Sequence, residues 1–129
     1  MKLINNSKYE LQEVTLPRTY KECCEVLGLN TMENDASGYK HEFIISFQEL
    51  LIERDAYWKI AGEQLGLDKP WEPDFSDDSP KYNIFRYENE IILSDNNWSN
   101  RILSFPTEEM RNIFYENFKI TIELCKVLL

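Results

Sequence analysis

The run Ile102-Leu103-Ser104-Phe105-Pro106-Thr107-Glu108-Glu109-Met110 decides the fold, because within it a short apolar strand turns into a long helix. Thr107 suits an N-cap: its hydroxyl can accept a hydrogen bond from an otherwise unpaired amide of the first turn. Glu108 and Glu109 then set negative charge at the positive end of the helix dipole. Downstream, Met110, Ile113, Phe114, Phe118, Thr121, Ile122, Cys125 and Leu128 recur at spacings of three and four, which gathers them on one helical face. A helix of this extent is roughly 30 Å long. Burying its large side chains is worth on the order of 10 kcal/mol before ordering entropy is subtracted. The natural partner for such a face is a sheet.

The strands of that sheet lie just upstream. Lys81 to Leu93 reads as a hairpin, with Tyr82, Ile84 and Arg86 on one face, Asn83, Phe85 and Tyr87 on the other, and a turn at Glu88-Asn89 that lacks glycine. Arg101 to Phe105 supplies a third strand. From Tyr39 to Leu65, Phe43, Ile44, Phe47, Leu50, Leu51, Tyr57, Trp58, Ala61 and Leu65 keep helical spacing, with Gly66 as the stop and Gly62 lowering propensity near the end. Arg54 interrupts that stripe, and its stem is expected to pack while the guanidinium reaches water. Thr19 with Glu22 forms a capping-box pattern ahead of a short helix through Leu27 that Gly28 closes. Tyr9 to Leu16 alternates loosely, as a weakly patterned strand does. Pro70, Pro73 and Pro80 make 68–80 an ordered connector that Trp71 and Phe75 can pin to the body. The expected fold is α+β: a three-stranded antiparallel meander covered on one face by two long helices, plus a short N-terminal helix. It spans residues 1–129 as a single domain.

Composition narrows the function classes. Hydrophobic content of 43% and aromatic content of 13% are those of a packed globule. With 23 acidic residues against 14 basic, the formal charge of −9 repels phosphate backbones and anionic lipid headgroups, so direct nucleic-acid and membrane binding are not expected. The first residues turn polar too early for a signal-peptide core, and no stretch approaches the length of about 18 apolar residues that marks a membrane span. A cytoplasmic protein with reduced thiols is expected from three cysteines, of which Cys23 and Cys24 are adjacent. On a helix those two side chains diverge by about 100°, so at most one is expected to face the core.

Motifs that carry chemistry are absent from the sequence. His41 is the sole histidine, without the second one a zinc-protease helix requires. Glu72, Asp74, Asp77 and Asp78 gather carboxylates in the connector, but not at calcium-loop spacing. Neither a nucleophile elbow nor a phosphate-cradling glycine loop occurs. No catalytic residue, cofactor or metal is therefore assigned. The aromatic strand Tyr82 to Tyr87, with Lys81, Arg86 and Arg101 nearby, resembles a base-stacking platform in composition, though a core sheet uses the same aromatics.

The phrases Leu16-Pro17-Arg18-Thr19-Tyr20, Ala56-Tyr57-Trp58, Trp71-Glu72-Pro73-Asp74 and Arg101-Ile102-Leu103-Ser104-Phe105 followed by Thr107-Glu108-Glu109 resemble those of small uncharacterised bacterial proteins of prophage or mobile-element type. That resemblance implies an accessory role and supplies no activity or site residue. The function expected is a non-catalytic protein-binding accessory module with an unidentified protein partner; its oligomeric state stays open. Trp98 in a polar loop, Trp71, Glu72, Asp74, Asp77 and Asp78 are the candidate interface residues. Two alternatives stand beside it. One is an acidic decoy presenting carboxylates to a DNA-handling protein, and the other a small-molecule-binding protein or enzyme without a recognisable motif.

Overall fold

A computed structural model describes residues 15–30, 42–96 and 102–129, together with the backbone of two short strands, β1 (Leu3–Ile4) and β2 (Glu10–Leu11), which pair antiparallel. Helix α1 (Tyr20–Leu27) opens on extended Thr19, whose hydroxyl accepts from the Glu22 amide at 3.1 Å. The reciprocal half of the cap is displaced by one residue: Glu22 Oε1 accepts from the Arg18 amide, at 3.1 Å. Gly28 ends the helix at φ 72°, and the Leu29 amide donates back to Cys24 O.

Helix α2 (Glu42–Gln64) runs for about 35 Å at 1.5 Å per residue. The connector after it does not leave the body. It doubles back along α2, the Trp71 amide donating to Trp58 O at 3.0 Å and the two indoles meeting edge-on at 5.8 Å. Gly62 is required by this return rather than merely tolerated in the helix. A Cβ there would run into the Lys69 carbonyl and come within 2.9 Å of Pro70 Cα and Trp71 N.

The sheet comprises β3 (Lys81–Tyr87), β4 (Glu90–Asn96) and β5 (Leu103–Phe105), all antiparallel. The α+β class and the helix-covered sheet are those expected, but the strand order is not that of a sequential meander. It runs β4-β3-β5, so the third strand returns to the first rather than adding to the second. Burial accounts for the order: Lys81, Tyr82, Asn83 and Ile84 of β3 are all buried, and a strand covered on both faces gains most from neighbours on both edges. Asn83 faces Ser104 in the register, and the Ser104 hydroxyl donates to Asn83 Oδ1 at 2.6 Å, which fixes that pairing. Glu88 takes the left-handed conformation, φ 57°, that the glycine-free turn requires, and the Arg86 guanidinium donates to its carbonyl.

Helix α3 (Glu108–Leu124) begins on Thr107, whose hydroxyl accepts from the Met110 amide, and a 3-10 turn (Lys126–Leu128) follows it. Tyr82, Ile84, Leu103 and Phe105 share one sheet face by register, and Phe105 packs on Phe114 with ring centres 4.9 Å apart. Tyr57 of α2 stands edge-on to Phe105, Phe114 and Phe118. Gly62→Ala should therefore destabilise the protein by about 1–3 kcal/mol despite alanine's better helix propensity, because overpacking against fixed backbone outweighs the gain. Urea unfolding of the two proteins measures the difference.

Candidate interaction site

The connector that carries most of the expected interface residues is built as a structural arch. Trp71 is only 5% exposed, so it anchors the arch against Trp58 and is not an exposed contact. Asp74 Oδ1 accepts from both the amide and hydroxyl of Ser76, and Asp77 Oδ1 from the Ser79 amide, so each carboxylate closes a local turn. Those bonds hold the Asp74 carboxyl below its ordinary range. Glu72 and Asp78 are exposed. Among the described residues no group of three or more His, Cys, Asp or Glu is placed to hold a metal ion. Trp98, His41 and Arg101 lie outside the described residues.

The stacking-platform reading loses its surface. Lys81 is buried, its ammonium donating to the carbonyls of Asp77 and Ser79 at 2.7 and 3.0 Å, beside the Phe75 ring. Tyr82 is buried too, and Tyr87 alone of the strand's aromatics is widely exposed. Arg54, expected to reach water, instead stacks on Trp58 at 4.2 Å and donates to Asp55 Oδ1 and Ile102 O. The carbonyl it takes is two residues from Ser104 O, which accepts from Trp58 Nε1 at 2.7 Å. Donors one turn apart on α2 thus bind alternate carbonyls, one in β5 and one just before it.

Cys23 and Cys24 are both buried, and one of the two faces the core as their divergence on the helix requires: Cys23 joins the main apolar cluster while Cys24 is covered outside it. Cys125 is buried as well, and all three are free. Burial, with the Glu53 carboxyl second, raises Cys125 to about 11 and Cys23 further. These groups stay thiols at neutral pH and are poor nucleophiles. Glu53 of α2 is the unusual member of this neighbourhood: 2% exposed, with Oε1 buried and lacking a hydrogen-bond partner among the described residues. Burial, reinforced by Glu49, pushes its carboxyl up to about 8, so it is protonated at neutral pH.

The exposed apolar surface lies elsewhere, on the outside of α3. Ile120, Leu124 and Val127 are 75%, 52% and 61% exposed. Together with half-buried Ile113 and Asn117 they follow spacings of four, three, four and three, so α3 and the 3-10 turn after it carry a second stripe that flanks the core face. The core face holds Met110, Phe114, Phe118, Ile122 and, beyond the helix end, Cys125. Buried Arg111 works beside that face, donating to Ser94 O of β4 at 2.9 Å. A groove of about 540 Å³ adjoins the start of the outer stripe, lined by Thr15, Leu16 and Arg18 on one side and by Asn112, Ile113, Glu116 and Asn117 of α3. Its wall is held by Tyr57, whose hydroxyl donates to Pro17 O at 2.7 Å and accepts from Asn117 Nδ2 at 3.1 Å. Sequence reasoning missed this surface, although the seven-residue steps Ile113, Ile120 and Val127 were there to signal it.

Comparison of the chain with protein-family models, curated proteins and solved structures finds no match.

Because the Glu53 carboxyl is raised in the fold from 4.5 to about 8, the unfolded chain ionises first as pH rises. The fold therefore loses stability progressively across that window and carries the full cost above it. Glu53→Gln should flatten the dependence and leave the variant more stable than the parent at pH 8.5, by more than about 1 kcal/mol. Urea midpoints taken from pH 5 to pH 9 test the sign.

Proposed function

We propose that the protein is a non-catalytic protein-binding module whose contact surface is the outer stripe of α3 together with the groove at its head. The observation that carries this reading is the exposure of Ile120, Leu124 and Val127 at helical spacing. Scattered exposed apolar residues are ordinary, but an aligned set beside a concave groove is the form that interaction surfaces take. The acidic-decoy alternative is less well supported. Among its candidate carboxylates, Asp74 and Asp77 are engaged in closing turns of the connector.

Replacing Ile120 and Leu124 together by Asp tests the reading. Both side chains are solvent-exposed, so unfolding stability should change by no more than about 0.5 kcal/mol each. Retention of the partner from a lysate of the source cells should fall at least about thirtyfold, the loss of one hot-spot contact of roughly 2 kcal/mol. A partner retained equally by parent and double variant would place the contact surface elsewhere.

A further inference from the structure

Resting on that reading, we infer that the outer stripe of α3 docks an amphipathic helix of a partner protein whose apolar face is flanked by Lys or Arg. The spacing of Ile113, Asn117, Ile120, Leu124 and Val127 is that of the seam along which two helices pack with apolar residues alternating three and four apart. At 1.5 Å per residue the part of this seam on α3, from Ile113 to Leu124, is about 17 Å long, enough for about three turns of a second helix, and Val127 of the 3-10 turn extends it. Beyond the non-helical backbone of Phe118, φ −124° and ψ 18°, Ile120, Leu124 and Val127 are exposed, while Ile113 and Asn117 before it are half-buried and form the seam's inner end beside the groove. The groove at its head, floored by Ile113, is where the first large side chain of such a helix would seat, with later anchors falling on Ile120 and Leu124.

Charge selects the occupant. Glu116 and Glu123, seven residues apart, border one side of the seam with side chains 68% and 51% exposed. Their ion-pair partners are Lys119 at 3.8 Å and, in the 3-10 turn, Lys126 at 3.2 Å, whose ammonium also donates to Asn89 O. In a two-fold antiparallel pairing of two copies, that bordering edge would meet itself and bring the four carboxylates of two chains together. Each chain's net charge of −9 adds to the repulsion. A helix bearing basic residues beside its apolar face meets Glu116 and Glu123 with complementary charge instead, and is attracted by the chain as a whole.

The test uses two synthetic peptides with the same leucine face, one with lysines and the other with glutamates at the flanking positions. Binding is followed by fluorescence anisotropy, peptide helicity by circular dichroism and the contact surface by amide NMR shifts of the labelled protein. The lysine-flanked peptide should bind at least tenfold more tightly, gain helicity, and shift the amides of residues 113–127. Ile120→Asp and, separately, Val127→Asp should each weaken it at least tenfold; each adds negative charge, so attraction due to overall charge alone would strengthen binding. Glu116→Gln with Glu123→Gln should reduce the preference for lysine. Equal binding of both peptides at the stripe, binding without a gain in helicity, or self-association in sedimentation that Ile120→Asp abolishes would each overturn the basic helix while leaving α3 as a protein-binding surface. Binding that neither Asp variant weakens, or no binding by either peptide, overturns this inference; the separate partner-retention experiment then decides whether the stripe binds protein at all.

Discussion

The packing of this protein depends on one turn of α2, at Tyr57 and Trp58. The Tyr57 ring stands edge-on to three phenylalanines drawn from β5 and α3, while its hydroxyl ties Pro17 and Asn117 together. Trp58 follows on the adjacent side of the helix, giving its indole N–H to Ser104 O and its carbonyl to the Trp71 amide. Two neighbouring residues thereby connect the segment before α1, the sheet, α3 and the connector. Aromatic side chains suit such a position because each combines a large apolar body with one polar handle. A smaller residue at either place would leave a cavity and also an unpaired carbonyl, two costs that reinforce one another.

Buried polar groups divide into those the fold satisfies and a few it leaves wanting: among the described residues Tyr20 Oη, Glu53 Oε1, Arg86 Nε and Glu109 Oε2 lack a partner. Lys81 is encased but its ammonium has two backbone carbonyls, and Arg111 has Ser94 O, Asn112 and Glu108. The Asn83 amide donates to Lys81 O while its carbonyl receives the Ser104 hydroxyl, which closes a polar ladder through the sheet. These cations and amides bind backbone carbonyls, so burial and satisfaction are achieved together. Glu53 differs. It is buried with the Glu49 carboxylate as its charged neighbour, which does not compensate a negative charge, and the carboxyl responds by holding its proton.

Much of the architecture was legible because local chemistry specified it. Thr19 and Thr107 announce helix starts, Gly28 and Gly66 stops, and the alternation through Lys81 to Tyr87 a strand, each by a mechanism that acts within a few residues. What escaped the sequence reading was set by contacts distant along the chain. The Asn83 and Ser104 pair that fixes the strand order joins residues 21 apart, and Gly62 reads as a weak helix residue until the connector is seen to cross it. The candidate site was less legible still. Ile113, grouped with the core face, does pack half-buried against the core, but Ile120 was grouped with nothing, since only the position of the sheet shows which apolar residues of such a helix are left uncovered. Trp71 illustrates the reverse error, an aromatic in a proline-rich loop that looks exposed and is in fact the loop's anchor.

The strand order also carries a kinetic consequence. The β3–β4 hairpin closes on a two-residue turn, an event of the order of 1–10 μs for such local elements. Strand β5 reaches β3 only after a longer loop is closed, and the carbonyls of Ser104 and of Ile102 just before the strand meet α2 donors 46 and 48 residues away in sequence. Until α2 docks, this short strand lacks those two contacts to hold it in register. The order of assembly implied is hairpin first, then docking of α2 and α3, with β5 captured between the hairpin and Trp58. In this fold a helix far earlier in the chain holds the strand that precedes α3 in place.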